Sequence, residues 1–186
     1  MRNDTLRRVI PAMTAVLVAM TAALAAAYGQ TQAAWMLTAA ISFGTTGYHF
    51  LMRLLVGGAT RAIFRNRPLW EKPWFRPRKW EAGFYRFLRV RRWKNKMPTY
   101  RPEEFAVSGN SLEAVTQAGC IAELGHEMII LLSFAPLLTI PAFGAAGVFW
   151  STSLLAALVD SVFVIMQRYN RPRFLRVLEK ERGRHG

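Results

Sequence analysis

The sequence predicts an all-α integral membrane protein, with four transmembrane helices arranged as two hairpins and a basic amphipathic interfacial segment between them. Three observations lead there. Hydrophobic residues make up 52% of the 186-residue chain, yet its formal net charge is +14, a pairing foreign to an ordinary soluble domain. The two properties are segregated: no charged residue falls between Arg8 and Arg53, and none between Glu127 and Asp160. Each stretch far exceeds the roughly 20 apolar residues that cross a bilayer, so each has room for a helical hairpin.

The elements follow in order. The first stretch divides at the polar turn Tyr28-Gly29-Gln30-Thr31-Gln32, giving spans of about 9–28 and 33–56. The second divides between Pro141 and Gly147, giving spans of about 121–140 and 146–166. A helix satisfies its own backbone groups, as the water-free hydrocarbon requires. Residues 57–120 form the interfacial segment and residues 167–186 a tail, within one membrane domain over 1–186. A second reading of residues 1–28 is a cleaved signal peptide, since Arg7 and Arg8 precede an Ala-rich run ending at Ala25-Ala26-Ala27.

Lysine and arginine set the orientation, because positive flanks stay on the cytoplasmic side. Arg2, Arg7 and Arg8 mark the N-terminus, Arg61 to Lys79 open the central loop, and Arg168 through Arg184 mark the tail, while both hairpin tips are uncharged. The expectation is a multi-pass protein of a bacterial plasma membrane with both termini cytoplasmic. The single Cys120 excludes an intramolecular disulfide and a multi-thiolate metal site.

The central loop interleaves aromatic with basic residues, from Trp70, Trp74 and Phe75 through Arg76, Arg78 and Lys79 to Trp80, Phe84, Tyr85, Arg86 and Phe87. Such a mixture suits the headgroup layer and its anionic lipids. Between Trp80 and Trp93, helical spacing puts Phe84, Phe87 and Leu88 on one face and predicts a short helix lying on the membrane. Pro98 and Pro102 end it, and Pro68, Pro73 and Pro77 break the chain before it. An electrostatic anchor accounts for most of these cations, so no nucleic-acid partner is expected.

Charge inside a membrane helix is costly and usually has a use. Glu123, His126 and Glu127 open the third span, three and four residues apart and therefore on one helical face. A carboxylate that orients an imidazole makes a general base; the alternative is that both only hold neighbouring helices. Glu-x-x-His also occurs in di-iron bundles, but those need two such motifs and further carboxylates, and this chain has three histidines in all. No metal centre is expected. Asp160, inside the fourth span, is placed to pair with an arginine or to accept from Ser133 or Ser161, as a helix-packing or a reactive residue, and His49 to pack or line a substrate. Two sets of donors lie at the cytoplasmic boundary: Arg91, Trp93, Lys94 and Lys96, and Gln167, Arg168, Tyr169, Asn170, Arg171 and Arg173. Guanidinium groups in such numbers suit a phosphate-rich ligand.

Taken together, Val90-Arg91 with Trp93-Lys94 and Lys96, then Ala122-Glu123-Leu124 with His126, then Gln167-Arg168-Tyr169-Asn170-Arg171-Pro172-Arg173 resemble, in order and spacing, the bacterial glycosyl-4,4'-diaponeurosporenoate acyltransferases. The likeness covers roughly residues 45–185, and the first span is an addition to the family pattern. The resemblance implies a membrane acyltransferase that moves a fatty acyl group from a cytoplasmic activated donor, acyl-CoA as co-substrate, to a hydroxyl of a lipid-linked sugar such as a glycosyl carotenoid, with no other cofactor. It implies that His126, aided by Glu123, takes the hydroxyl proton, and that Arg91, Lys94, Arg168, Asn170, Arg171 and Arg173 bind donor phosphates or the developing oxyanion. Two other classes remain: a lipid-binding scaffold or accessory subunit, and a small membrane methyltransferase or reductase. Gly57-Gly58 is an isolated pair and no glycine-rich dinucleotide loop supports the last.

Overall fold

A computed structural model of the chain describes residues 3–185. Arg2, among the basic residues that orient the chain, lies outside the described residues, as do the side chains of Arg184 and His185. Among the described residues every regular element is helical and there is no strand. Seven α-helices follow one another: α1 (Asn3–Thr31), α2 (Ala34–Phe64), α3 (Glu81–Phe87), α4 (Val90–Trp93), α5 (Leu112–Leu132), α6 (Ile140–Phe143) and α7 (Ala146–His185). Three segments are long and apolar enough to cross a membrane, Thr5–Thr31, Leu112–Phe143 and Ala146–Glu181. Helix α2 is not among them, for Thr38, Ser42, Thr45, Thr46, His49 and Arg53 dilute its apolar run. Its hydroxyls turn back onto the helix, Ser42 onto the Thr38 carbonyl and Thr45 onto that of Ile41, at 2.8 and 2.7 Å, the usual way such groups are satisfied in a helix.

The chain divides into two compact units, Met1–Val56 with Met128–Asp160, and Gly57–Glu127 with Ser161–Gly186. The first exposes large apolar side chains and buries polar ones among apolar ones. Leu55, Leu131, Leu138, Leu155 and Leu158 are exposed, while Thr14, Thr45, His49, Ser133, Ser153 and Asp160 are buried. That inversion of the soluble pattern matches a hydrocarbon surround. Gly44 and Gly47 of α2 allow close approach to α1, since a Cβ at each would stand 3.1 Å from Thr21 Cγ2 and 3.3 Å from Leu17 Cβ respectively. The turn between them closes where Gln32 takes a left-handed conformation and its N–H bonds the Tyr28 carbonyl, as helix C-caps do.

The third apolar segment is not a single α-helix: α5 stops at Leu132, and Ala135–Thr139 is 3-10 before α6 begins. Pro136 is the cause, since it has no N–H for the carbonyl of residue 132. The hydroxyl of Tyr48 supplies the missing donor, 2.8 Å from the Leu132 oxygen.

The second unit is built around an irregular, proline-broken connection. Helix α2 does not end at residue 56 as expected but continues through Gly57 and Gly58, where a Cβ would meet nothing. After it the chain is tied down by one side chain: Gln117 of α5 accepts from the Leu69 N–H at 3.0 Å and donates to the carbonyls of Phe64 and Arg67 at 2.6 and 2.5 Å. Leu69, Phe75 and Cys120 form the core there, with Phe64, Trp70, Ile121 and Leu124 packed against them. The single interfacial helix expected from Trp80 to Trp93 is two helices, because Arg89 between them has φ of +50°. The first half keeps the expected face: Phe84 and Phe87 point out, and Glu81 and Tyr85, a turn apart, are buried.

Candidate functional site

Within the second unit, α5 and α7 face each other with opposite charge. Glu123 and Glu127 are one turn apart on α5, and Arg168 and Arg171 one turn apart on α7, so two matched rows meet. Arg168 Nε donates to Glu123 Oε1 at 2.9 Å, and its Nη2 to Glu127 Oε1 at 2.9 Å. Arg171 Nη1 donates to the other oxygen of Glu123. Glu123 is completely sealed from solvent and Arg171 is 4% exposed. Both oxygens of this buried carboxylate are therefore given to guanidinium groups, the pairing that makes a charge tolerable there.

Residues from the central segment complete the cluster. Glu81 of α3 makes a longer contact with Arg168, 3.5 Å, and is 2% exposed. Trp74 donates its indole N–H to Glu127 Oε2 at 2.9 Å and lies under the Arg168 guanidinium, 5.4 Å from the ring centre. Phe75 does the same for Arg171 at 5.5 Å, a favourable placement for a cation. Tyr85 sits beside Glu81 and meets Tyr169 edge-on at 5.7 Å. Its burial first, and the Glu81 carboxylate second, raise the pKa of its phenol well above the usual tyrosine value. Glu81, Trp74 and Tyr85 had no place in the site as read from sequence, although an acid in so basic a run was a usable signal.

A pocket of about 400 Å³ opens next to this cluster. Lys94, Gln167, Asn170, Arg171 and Arg173 are among its polar lining residues, and Phe105, Val115 and Phe174 among the apolar ones. On α7, Gln167, Asn170, Arg171 and Phe174 recur at helical spacing, so one helix face supplies these four parts of the wall. Lys94 donates to Asn170 Oδ1 at 2.6 Å and lies 5.1 Å from the centre of the Tyr169 ring. Burial, and then the nearby positive charge of Arg173, lower the Lys94 pKa from its ordinary value. Arg171 belongs to both features, pairing with Glu123 and lining the pocket. Its Nε and Nη2 are buried without an acceptor.

The structure thus gathers Lys94, Gln167, Asn170, Arg171 and Arg173 at one pocket, and Glu123, Arg168 and Arg171 in one ion cluster. Arg91 and Lys96 are exposed and do not line the pocket. Trp93 is half-buried and donates to the Leu88 carbonyl at 3.0 Å. The His126 ring stacks on Phe163, 4.8 Å between centres and 9° from parallel, while Glu123 beside it on the helix is committed to arginine. In the first unit Asp160 pairs with Arg53, whose guanidinium also reaches the carbonyls of His49 and Ala156 at 3.1 and 3.3 Å.

The fold and site define an all-helical protein with helices fit for a membrane and a cationic pocket beside a buried ion cluster. The chain belongs to the glycosyl-4,4'-diaponeurosporenoate acyltransferase family, whose model matches residues 71–180. The match takes in every residue of the ion cluster and the pocket. No curated protein and no solved structure matches the chain.

Proposed function

We propose that the protein is a membrane acyltransferase that moves a fatty acyl group from a cytoplasmic activated donor, acyl-CoA, to a hydroxyl of a lipid-linked sugar such as a glycosyl carotenoid. The observation that carries the reading is the cationic pocket of about 400 Å³ within the segment that matches the acyltransferase family. In the reaction the acceptor oxygen attacks the thioester carbonyl, an ester C–O bond forms, the C–S bond breaks, and the thiolate leaves with the proton taken from the hydroxyl. His126 is the general base. Stacking on Phe163 fixes the plane of its imidazole, which is what a proton acceptor needs. Glu123 serves by holding Arg168 and Arg171 in position, and the cations around the pocket hold the donor.

In this reading α1, α2, α5 with α6, and α7 stand across a bacterial plasma membrane as two hairpins, both termini cytoplasmic. Helix α2 crosses despite its modest hydropathy because its polar side chains are turned inward or onto its own carbonyls. The exposed Trp80, Phe84 and Phe87 of the α3 region lie at the headgroup layer.

The test is a transfer assay with purified protein in detergent, labelled acyl-CoA and a panel of glycolipid, glycosyl-terpenoid and phospholipid acceptors. The expected result is ester formation on a sugar hydroxyl, lowered about 100-fold or more in His126→Ala with an unchanged melting temperature. Full activity in His126→Ala removes the base assignment, and no transfer to any acceptor by folded protein removes the reading.

A further inference from the structure

The pocket wall mixes cations with aromatic rings, and that mixture says which part of a donor fits. Lys94, Arg171 and Arg173 bring three positive charges to it. Arg171 is paired with Glu123 in the cluster behind the pocket, whereas Lys94 and Arg173 have no part in that cluster. Arg171 in particular is nine-tenths buried or more and keeps two nitrogens without an acceptor. Buried donors are rarely left so. An arginine with free N–H groups beside a second arginine and a lysine suits phosphate oxygens, which accept several charge-assisted hydrogen bonds at once.

The same wall carries apolar surface, with Phe105 and Phe174 contributing rings. Aromatic surface together with cations is the pattern that takes a nucleobase and its phosphates, the ring stacking while the phosphates are bound. The polar ends of Gln167 and Asn170 stand in the same wall. The volume lies in the range of small-molecule pockets, roughly 300–1,000 Å³, near its lower end. It suits a nucleotide and not the whole of an acylated donor.

We propose that this pocket binds the phosphorylated adenosine end of the donor, with Lys94, Arg171 and Arg173 on the phosphates and Phe105 and Phe174 against the base. The inference rests on the acyl-transfer reading for its donor but concerns a binding site that can be measured without any acceptor. It separates the arginines of α7 by task. Arg168 stays behind with the acids, Arg173 faces the ligand, and Arg171 does both.

The experiment is titration of the full-length protein in detergent with adenosine 3',5'-bisphosphate, beside Lys94→Ala, Arg173→Ala and, as a control on an exposed loop cation, Lys79→Ala. The expected result is saturable binding that weakens about tenfold in each of the first two variants and is unchanged in the third. Arg173 is exposed, so its removal leaves the core intact and the comparison holds even if Lys94→Ala fails to fold. With acyl-CoA as donor, KM rises in Arg173→Ala with kcat unchanged, and the thioester of dephospho-CoA is a poorer donor. Binding of sn-glycerol phosphate as tight as that of the nucleotide assigns the pocket to lipid headgroups and overturns the inference. Equal nucleotide binding by all variants overturns it too, as does efficient transfer from acyl carrier protein by a chain that binds no nucleotide. Transfer indifferent to the pocket variants would leave the acyltransferase standing and remove the nucleotide site. Nucleotide binding with the expected pattern, but no transfer to any acceptor, would do the reverse.

Discussion

Arg171 and Glu123, 48 positions apart in the chain, face each other as an ion pair with neither open to solvent. A buried pair of this kind contributes little against an apolar replacement of both partners, but breaking it from one side leaves a charge stranded.

Glu123→Gln is therefore expected to destabilise the protein by about 3–5 kcal/mol. The double variant Glu123→Leu with Arg171→Met is expected to recover much of that loss, because no lone charge remains. Thermal unfolding in detergent reads both, and a double variant no better than the single one would show that the pair itself stabilises the fold.

A similar asymmetry is expected in the first unit. Asp160→Ala strands the Arg53 guanidinium, which is one-quarter exposed and can reach for water. The cost is expected to be smaller than at Glu123, roughly 1–3 kcal/mol, and the difference between the two losses in the same assay is the quantity to compare.

Arg89 carries a left-handed backbone without being glycine. Arg89→Gly removes the Cβ that makes this conformation costly, against the greater freedom of glycine in the unfolded chain. A net gain of roughly 0.5–1 kcal/mol is expected, seen as a higher melting temperature.

The glycines of α2 should respond in opposite ways. Gly47→Val drives a branched side chain into Leu17 of α1 and is expected to cost about 1–3 kcal/mol. Gly58→Ala meets nothing and is expected to gain roughly 0.5–1 kcal/mol from helix propensity.

Tyr85 gives the stability a pH dependence at the alkaline end. Its phenol holds its proton more tightly in the folded protein than in the unfolded chain. The stabilisation is complete below the ordinary tyrosine value, about 10, and is lost as pH rises from there toward the higher folded value, since only the unfolded chain then releases the proton. Stability measured from pH 9 to 11 should fall more steeply in the parent than in Tyr85→Phe.

The helical class and three long apolar segments could be read from sequence because they depend on composition alone; the second half of the uncharged stretch 9–52 is the exception, since the polar side chains of α2 keep it below the hydropathy of the other three. Breaks in helices were harder, since they depend on single residues. Pro136 stops α5 at Leu132, and Arg89 splits the interfacial helix although nothing in an arginine announces a positive φ. The candidate site was legible only in part: Lys94, Gln167, Asn170, Arg171 and Arg173 come together at one pocket, Arg91 and Lys96 do not, and the partners of the buried acid were not readable. Spacing along α5 put Glu123 and His126 on one face, but the groups that hold Glu123 come from α7, 45 and 48 positions on. Local periodicity carries no information about that pairing. It also could not divide the basic residues into those bound to acids, such as Arg168, and those lining a pocket, such as Lys94.

Helix α7 runs for 40 residues, about 60 Å of axis, or roughly twice the hydrocarbon thickness of a bilayer. Gln167 lies 21 residues beyond Ala146, about 32 Å along. A helix of this length set across a membrane from Ala146 leaves the oil near Gln167, and the next two turns stand in the polar skin. For the acyltransferase proposed above, a site at that height would draw one reactant from each phase, a water-borne donor from above and a greasy acceptor from below, and neither would have to be dissolved in the other's solvent.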